Sequence, residues 1–160
     1  MTELSIQLEH AFDITIYFDR RWTIGPVSGG DSQGYVSVKH GTISGPRLQG
    51  RVVDGSGADW ANIRQDGVIE LNAHYILECD DGARIYIRNQ GYVHRPMMAP
   101  GQDPAAPPQI PHYFRCTPYF RAPQGPHDWL NRTVIVGTGE RKPGTDTQPD
   151  HSLFRYWAVL

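Results

Sequence analysis

The chain has 160 residues, a formal net charge of −2 at pH 7 and an isoelectric point near 6.4. This length suits one domain, residues 1–160, with a core that needs neither a disulfide scaffold nor a structural metal. Lys and Arg form no run longer than two residues. The dense positive charge typical of proteins that bind nucleic acids or anionic membranes is therefore excluded.

The N-terminal residues lack the pattern of a secretion signal, and no apolar run approaches the roughly 20 residues that span a bilayer. Cys79 and Cys116 are too few for a disulfide framework and too far apart for a zinc knuckle or a redox pair. We therefore expect a cytoplasmic protein with reduced thiols.

Strand-like patterns recur along the whole chain. Alternating or continuous apolar runs occupy residues 4–18, 34–43, 46–53, 67–79, 83–94, 112–120, 133–140 and 152–160. Helix patterns with caps are almost absent, and only DWANIRQDG and HDWLNR could hold a helical turn. About eight strands with so little helix must split into a sandwich or close into a barrel. We predict an all-β fold, a closed antiparallel β-barrel, with Trp157 in a paired C-terminal strand.

Residues 95–111 interrupt this pattern with six prolines and no strand signal. Such a composition favours an extended, semi-rigid loop. A long loop within a small domain is either a cover over a functional site or a plain connector, and both interpretations stay open. Met97 and Met98 slightly favour the cover, because thioethers adapt to varied apolar contacts.

Residues 67–94 predict a β-hairpin whose two faces differ in chemistry. A two-residue turn at Asp81-Gly82 would place Tyr75, Tyr86 and Arg88 together on the more apolar and aromatic face, which we expect to point inward. An arginine inside a barrel needs a carboxylate, a wet cavity or a ligand. This register therefore predicts a pocket rather than a solid core.

A longer turn would shift this register by one residue and exchange the faces. His74 and Asn89 would then line the interior instead. The sequence leaves both registers open.

Several segments together resemble the domain of unknown function 3237 family of bacteria and fungi. They are GPRLQGRV, GADW, RQDG, the DDG turn, the strand IYIRNQG, and the later segments HYFRCTPYF and WLNRTVIVGTGER. The resemblance covers most of the chain. It implies a small calycin-like antiparallel β-barrel with an interior pocket, often assembled into homo-oligomers, and it implies no particular reaction.

Asp59 is the first candidate for chemistry. Its carboxyl group stands beside Trp60 and Gly57 in GADW, and shelter from water would raise its pKa toward the range that a general acid or base needs. Alternatively, Asp59 only caps the turn that follows it. Tyr113 or His74 would supply the second proton-transfer group.

Six further residues are candidates for binding a substrate. Arg88 and Arg115 could bind a carboxylate or stabilise an oxyanion, or could instead neutralise a buried aspartate. The aromatic candidates offer a hydroxyl group or an indole N–H to a ligand, with plain core packing as the alternative. They are Tyr75, Tyr86, Trp60 and Trp129.

These patterns favour a cofactor-independent lyase or isomerase, a group that here includes hydratases and cyclases. It would act by acid/base catalysis on a small, largely hydrophobic substrate inside the barrel. A noncatalytic carrier or sensor of a small ligand is the alternative. No HExxH, CxxC, P-loop or dinucleotide motif is present, so we expect no metal and no cofactor. The expected partner is a small molecule, not a nucleic acid or a membrane.

Overall fold

Alternating apolar residues build long antiparallel strands in this chain. The computed structural model describes residues 4–95, 101 and 111–160. The strands of that part are β1 (Leu8–Ile24), β2 (Ser32–Ser44), β3 (Gly50–Val52), β4 (Ala58–Asp59), β5 (Asn62–Ile63), β6 (Val68–Cys79), β7 (Arg84–His94), β8 (Tyr113–Arg121), β9 (Ile135–Lys142) and β10 (His151–Val159). One short 3-10 helix spans Asp128–Asn131. No helix within these ranges is long and apolar enough to cross a membrane.

The strands close into an antiparallel barrel. β1 pairs with β2 on one side and with β10 on the other, and β10, β9, β8, β7 and β6 then follow in order. The three short strands β3, β4 and β5 lie one after another between β2 and β6. They share one position in the wall, so the barrel has eight positions, as the sequence predicts.

Most strands lie where the sequence pattern predicts them, but several boundaries differ. The predicted run 46–53 forms only the three residues of β3, and β1 begins at Leu8 rather than at residue 4. β1 extends to Ile24, six residues beyond the apolar run, because the segment after Phe18 stays paired with β2 through two irregular positions. The possible helical turn in DWANIRQDG is wrong, since that segment forms β4 and β5. The predicted C-terminal strand with Trp157 is confirmed as β10.

The turn between β6 and β7 has three residues rather than two. The amide of Gly82, which has a φ of +85°, donates to the carbonyl of Cys79 at 2.8 Å, and the amide of Cys79 donates to the carbonyl of Ala83 at 2.9 Å. This arrangement pairs Glu78 with Arg84. A three-residue turn with a left-handed residue at its end produces such a register.

The predicted pairing of this hairpin is wrong, because the turn has one residue more than expected. Tyr75 lies opposite Ile87 instead of Arg88. On β6 the face that carries Tyr75 points inward, as predicted. On β7 the face predicted to point outward is the one that points inward. Tyr86 and Arg88 consequently lie on the outside, and Asn89 is buried inside.

Large side chains fill one end of the barrel, which we call the packed end. Its buried residues include Phe12, Ile14, Leu77, Ile85, Ile87, Phe120, Leu130 and Tyr156. The inward-facing side chains at the other end, the cavity end, do not meet across the barrel. Within the barrel, a ligand fits only at the cavity end, since a packed interior leaves no room for one.

Candidate active site in the barrel cavity

The cavity end encloses a space of about 240 Å³, enough for a small organic molecule. Its walls are mostly apolar and include Ile16, Val38, Leu71, Val93, Phe114 and Phe154. Gly34, Ala61 and Ala73 also line it and leave open the space that larger residues would fill. The site is therefore an apolar chamber with few polar groups.

Asp59 lies in the wall of this chamber. Its strand, β4, pairs with β2 at Val36 and with β6 at Ala73. Its Oδ1 atom accepts a hydrogen bond of 2.9 Å from the amide of Asn72. Asp59 is thus held by backbone on both sides and by its own carboxyl group.

Gly57 allows this part of the wall to form. A Cβ atom at Gly57 would lie 1.7 Å from the carbonyl oxygen of His74, so a larger residue would push β4 away from β6. The glycine of the GADW element is therefore required by the close approach of two strands. It places Asp59, two residues further along the chain, at the chamber wall.

Burial changes the chemistry of the Asp59 carboxyl group. Loss of contact with water disfavours the charged form and raises its pKa from 3.8 to about 6, although the hydrogen bond from Asn72 acts in the opposite direction. A carboxyl group with this pKa exists in both protonation states near neutral pH. Asp59 can therefore accept or donate a proton under physiological conditions.

Tyr75 borders the same chamber, and Tyr156 lies near it, deeper in the barrel. Both are fully buried, and neither hydroxyl group forms a hydrogen bond of good geometry with a described residue, but each lies close enough to the other to influence its pKa. Burial is the main reason why the pKa of each hydroxyl is raised above its usual value. Both groups stay protonated at neutral pH, so each can donate a hydrogen bond.

Three arginines line the cavity at its outer end. Arg21 belongs to the end of β1, Arg141 to the end of β9, and Arg95 follows β7 directly. Arg95 is also the first residue of the proline-rich segment, so the opening lies where that segment starts. Residues 96–100 and 102–110, including Met97 and Met98, lie outside the described residues, and the predicted cover stays a prediction.

The structure does not bring the other predicted catalytic residues to Asp59. His74 points outward from β6, where its Nδ1 lies 2.6 Å from the Tyr86 hydroxyl group. Tyr113 and Arg115 are exposed on the outer surface of β8, beside Tyr92 in a shallow groove. The buried positions of β8 are Phe114, Cys116 and Phe120. The apolar alternation within HYFRCTPYF already indicates this orientation.

Of the predicted binding residues, only Tyr75 borders the cavity. Arg88 and Tyr86 are on the outer face of β7 because of the three-residue turn. Trp60 is half exposed, with its ring centroid 4.6 Å from that of Tyr35. Trp129 belongs to the 3-10 helix and packs against the core, and the Arg47 guanidinium group lies 3.7 Å from its ring centroid. Trp129 does not line the cavity.

Sequence reasoning missed the three cavity arginines. Arg21 and Arg141 lie on different strands, Arg95 follows a third, and no local motif connects them. The one feature of the sequence that they share is a position near the end of a strand. Their meeting can be inferred from this feature only if the strand order and the true end of β1 are known.

One further group of potential metal ligands lies outside the cavity. The ligand atoms of Cys79, Asp81 and His127 are within 4.8 Å of one another, and His127 Nε2 is 2.7 Å from Asp81 Oδ2. Burial, followed by the nearby charges of Asp81 and Asp80, raises the pKa of the Cys79 thiol to about 11. A metal ion would have to displace a tightly held thiol proton there. The expectation that the protein uses no metal stays a prediction.

The family model described as "Protein of unknown function (DUF3237)" matches residues 6–159. The chain belongs to this family. The resemblance that rested on GPRLQGRV, GADW and WLNR is thereby confirmed.

The relatives of this DUF3237 chain span nearly its whole length. A UPF0311 protein of Clostridium acetobutylicum is 32% identical over 142 residues, which cover 84% of this chain and 86% of that protein. A UPF0311 protein of Rhodopseudomonas palustris is 28% identical over 139 residues, or 86% of this chain and 90% of that protein.

Solved structures share the barrel. A β-barrel-like protein from Acinetobacter baumannii matches with a TM-score of 0.82 at 27% identity, covering 99% of both chains. A structure described as an enzyme from Penicillium herquei matches with a TM-score of 0.69 at 21% identity, covering 100% of this chain and 98% of that one. The second similarity is one of fold.

Proposed function

We propose that this DUF3237 protein is a cofactor-independent lyase or isomerase that moves a proton on a small, largely hydrophobic substrate in the cavity. The observation that carries the proposal is the Asp59 carboxyl group, which lies in an apolar chamber and has a pKa of about 6. A proton acceptor works best when its pKa lies near the working pH. Perturbed carboxyl groups in clefts are typical of catalytic sites.

In the proposed reaction, ionised Asp59 removes a proton from a carbon atom next to a carbonyl group. The C–H bond breaks, the proton moves to the carboxylate, and the electron pair of that bond forms an enolate. Return of the proton to another carbon completes an isomerisation, while departure of a leaving group completes an elimination. The apolar walls strengthen each electrostatic interaction because they exclude water.

Tyr75 takes the role of hydrogen-bond donor in this proposal. Its hydroxyl group keeps its proton at neutral pH and lies beside the Tyr156 hydroxyl group, and in this proposal it donates to a developing oxyanion. Tyr113 and His74, the donors expected from the sequence, lie on the outer surface. Tyr75 therefore replaces them.

The fold comparison supports catalysis in a barrel of this kind. The protein from Penicillium herquei is described as an enzyme, and its barrel matches the whole of this chain. At 21% identity its reaction does not transfer. A cytoplasmic location, expected from the sequence, is part of the same proposal.

A noncatalytic carrier is the second candidate. It is favoured by the apolar walls and by the presence of only one carboxyl group among the described lining residues. A carrier needs Asp59 for binding at most, whereas an enzyme needs it for turnover. Measuring binding and proton transfer on the same variants separates the two functions.

The test is hydrogen exchange from a panel of small cyclic and aromatic ketones in D₂O, followed by mass spectrometry. Asp59→Asn keeps the size of the side chain and removes proton transfer, so we expect it to lower the rate by about 100-fold or more. Asp54→Asn is the matched control, because Asp54 is an exposed aspartate on the surface. Retained exchange in Asp59→Asn, or an equal loss in both variants, would contradict the proposal.

A further inference from the structure

Two of the three arginines at the cavity opening bind the same carboxylate, that of Asp150. Asp150 accepts hydrogen bonds from both Arg21 and Arg141, the latter at 2.5 Å through Nη2. Nη1 of Arg141 also donates to the Ser152 hydroxyl group at 3.1 Å. Arg21 and Arg141 are therefore fixed by the protein itself.

Phe18 orients the same two arginines. The guanidinium carbon atoms of Arg21 and Arg141 lie 5.1 and 5.0 Å from the centroid of its ring. Contact with an aromatic face holds a planar guanidinium group in place and leaves its N–H edge free to bind. The two groups are therefore oriented before any ligand arrives.

Among the described residues, Arg95 has no ion pair and no aromatic contact of this kind. Its Nε atom is buried and has no hydrogen-bond partner among the described residues. Burial lowers its pKa, and the neighbouring charges of Arg141 and Arg21 lower it further. Burying a charged group without a partner is unfavourable, and no described residue supplies a partner for the Arg95 Nε atom.

Asp59 does not compensate this charge. The charged groups that act on Arg21 are Arg141 and Asp150, and those that act on Arg95 are Arg141 and Arg21. The Asp59 carboxyl group accepts a hydrogen bond from the Asn72 amide and forms no ion pair with these arginines among the described residues. The positive charge and the carboxyl group are therefore separate features of one cavity.

We propose that Arg95, supported by Arg21 and Arg141, binds a carboxylate group of the substrate. This inference rests on the proposed function and names its substrate class, which is small hydrophobic carboxylic acids. The guanidinium fork matches a carboxylate through two parallel hydrogen bonds. The acid group lies at the opening, and the apolar body extends between the walls toward Asp59.

The test compares acids with their neutral amides by isothermal titration calorimetry. The probes are benzoate, 2-naphthoate and 4-phenylbutyrate, each paired with its primary amide. We expect at least one acid to bind about tenfold or more tightly than its amide, as a charged hydrogen-bonded pair requires. Equal affinities within every pair, or binding of none of the acids, would overturn the inference.

Arg95→Gln should abolish the preference for the acid and leave amide affinity unchanged. Arg115→Gln is the control, because Arg115 is an exposed arginine on the outer surface. An equal loss in both variants would indicate nonspecific attraction and overturn the inference. Arg95→Lys keeps the charge without the fork, so it should retain only part of the preference. Melting temperatures of the three variants confirm that each one folds.

Asp59→Asn separates this inference from the proposed function. It should keep the preference for the acid while losing proton exchange. Exchange that depends on Asp59 without any preference for acids would leave the proposed function standing and overturn the anion site. If the acids are preferred but exchange does not depend on Asp59, the anion site stands and the proposed function is contradicted.

Discussion

The packed end and the cavity end of this barrel place different side chains on the same strands. At the packed end the ring centroid of Phe12 lies 5.2 Å from that of Tyr156 and 6.0 Å from that of Phe120. At the cavity end the residues include Ala73 and Gly34, which leave a space of about 240 Å³. One continuous sheet thus supports a filled core and an open chamber.

The difference shows how stability and binding are divided within the domain. Close packing of large apolar side chains stabilises the packed end. The cavity end forgoes part of that packing, and it is also where Asp59 and Arg95 are removed from water. Substitutions at the two ends should therefore have different consequences, and matched pairs of variants can measure them.

The largest expected difference is between Phe12→Ala and Phe114→Ala. Phe12 is fully buried among aromatic rings, so its removal should lower the free energy of unfolding by about 3–5 kcal/mol. Phe114 already borders open space. Its replacement by alanine should lower the free energy of unfolding by at least about 1 kcal/mol less, because fewer contacts are lost. Urea denaturation measures both values, and equal losses would contradict the distinction between the ends.

The next effect is a pH dependence caused by Asp59. Its pKa in the folded protein, about 6, lies above its ordinary value of 3.8, so the folded state binds this proton more tightly than the unfolded state. The resulting stability is present below pH 3.8 and is lost as the pH rises through 6. The Asp59→Asn variant does not lose this stability as the pH rises, because asparagine does not titrate.

Relative to wild type, Asp59→Asn should gain up to about 3 kcal/mol of stability between pH 4 and pH 7.5. The measurement is urea denaturation of both proteins at the two pH values. Effects of all other titrating groups cancel in the difference. A constant difference between the two proteins would show that Asp59 has an ordinary pKa.

A smaller effect is expected when alanines are enlarged. Ala158→Leu places extra atoms in the packed end and should cost about 1–3 kcal/mol. Ala73→Leu extends into the cavity and should change stability by less than about 1 kcal/mol. Ala73→Leu should also weaken the binding of 2-naphthoate in calorimetry. Undiminished binding would place the ligand elsewhere.

The smallest effect concerns two tyrosine hydroxyl groups. Tyr86→Phe removes the 2.6 Å contact with His74 on the outside and should cost about 1 kcal/mol, without changing ligand binding or exchange. Tyr75→Phe removes a buried hydroxyl group that has no partner among the described residues, so it should not lower stability. It should instead slow deuterium exchange. A reversed pattern would exclude Tyr75 from the site.

Local alternation made the fold and part of the site predictable. Within β6, Tyr75 follows the two-residue period of its neighbours, so its inward orientation could be inferred without knowing its partner strand. Asp59 was indicated by its place between Gly57 and Trp60. Both inferences depend on residues close together in the chain.

Features that depend on register could not be predicted in the same way. Asp80-Asp81-Gly82 is compatible with a two-residue and with a three-residue turn, and the choice decides on which side Arg88 and Asn89 lie. The buried Ile85 and Ile87 show which packing prevails. Such a choice is made by contacts across the whole barrel, which no short segment contains.

The arginine cluster is the clearest case of a nonlocal feature. Arg21 looked like part of a connecting segment because the apolar pattern ends at Phe18. Arg95 follows β7 and Arg141 belongs to β9, and β8 lies between these two strands. The three arginines come together at the cavity opening because of both the order and the length of the strands.

The pairing of β1 with β10 has a consequence for how the chamber arises during synthesis. Phe154, a residue of the cavity wall, lies opposite Ile14 across this pair. The residues before β10 therefore emerge from the ribosome before the wall can be completed. Contacts between residues so far apart in the sequence form slowly. Until residues 151–159 emerge, the nascent chain has an unpaired edge along β1 and no enclosed chamber. We therefore expect a ligand to bind in the chamber only after β10 has paired with β1 and β9.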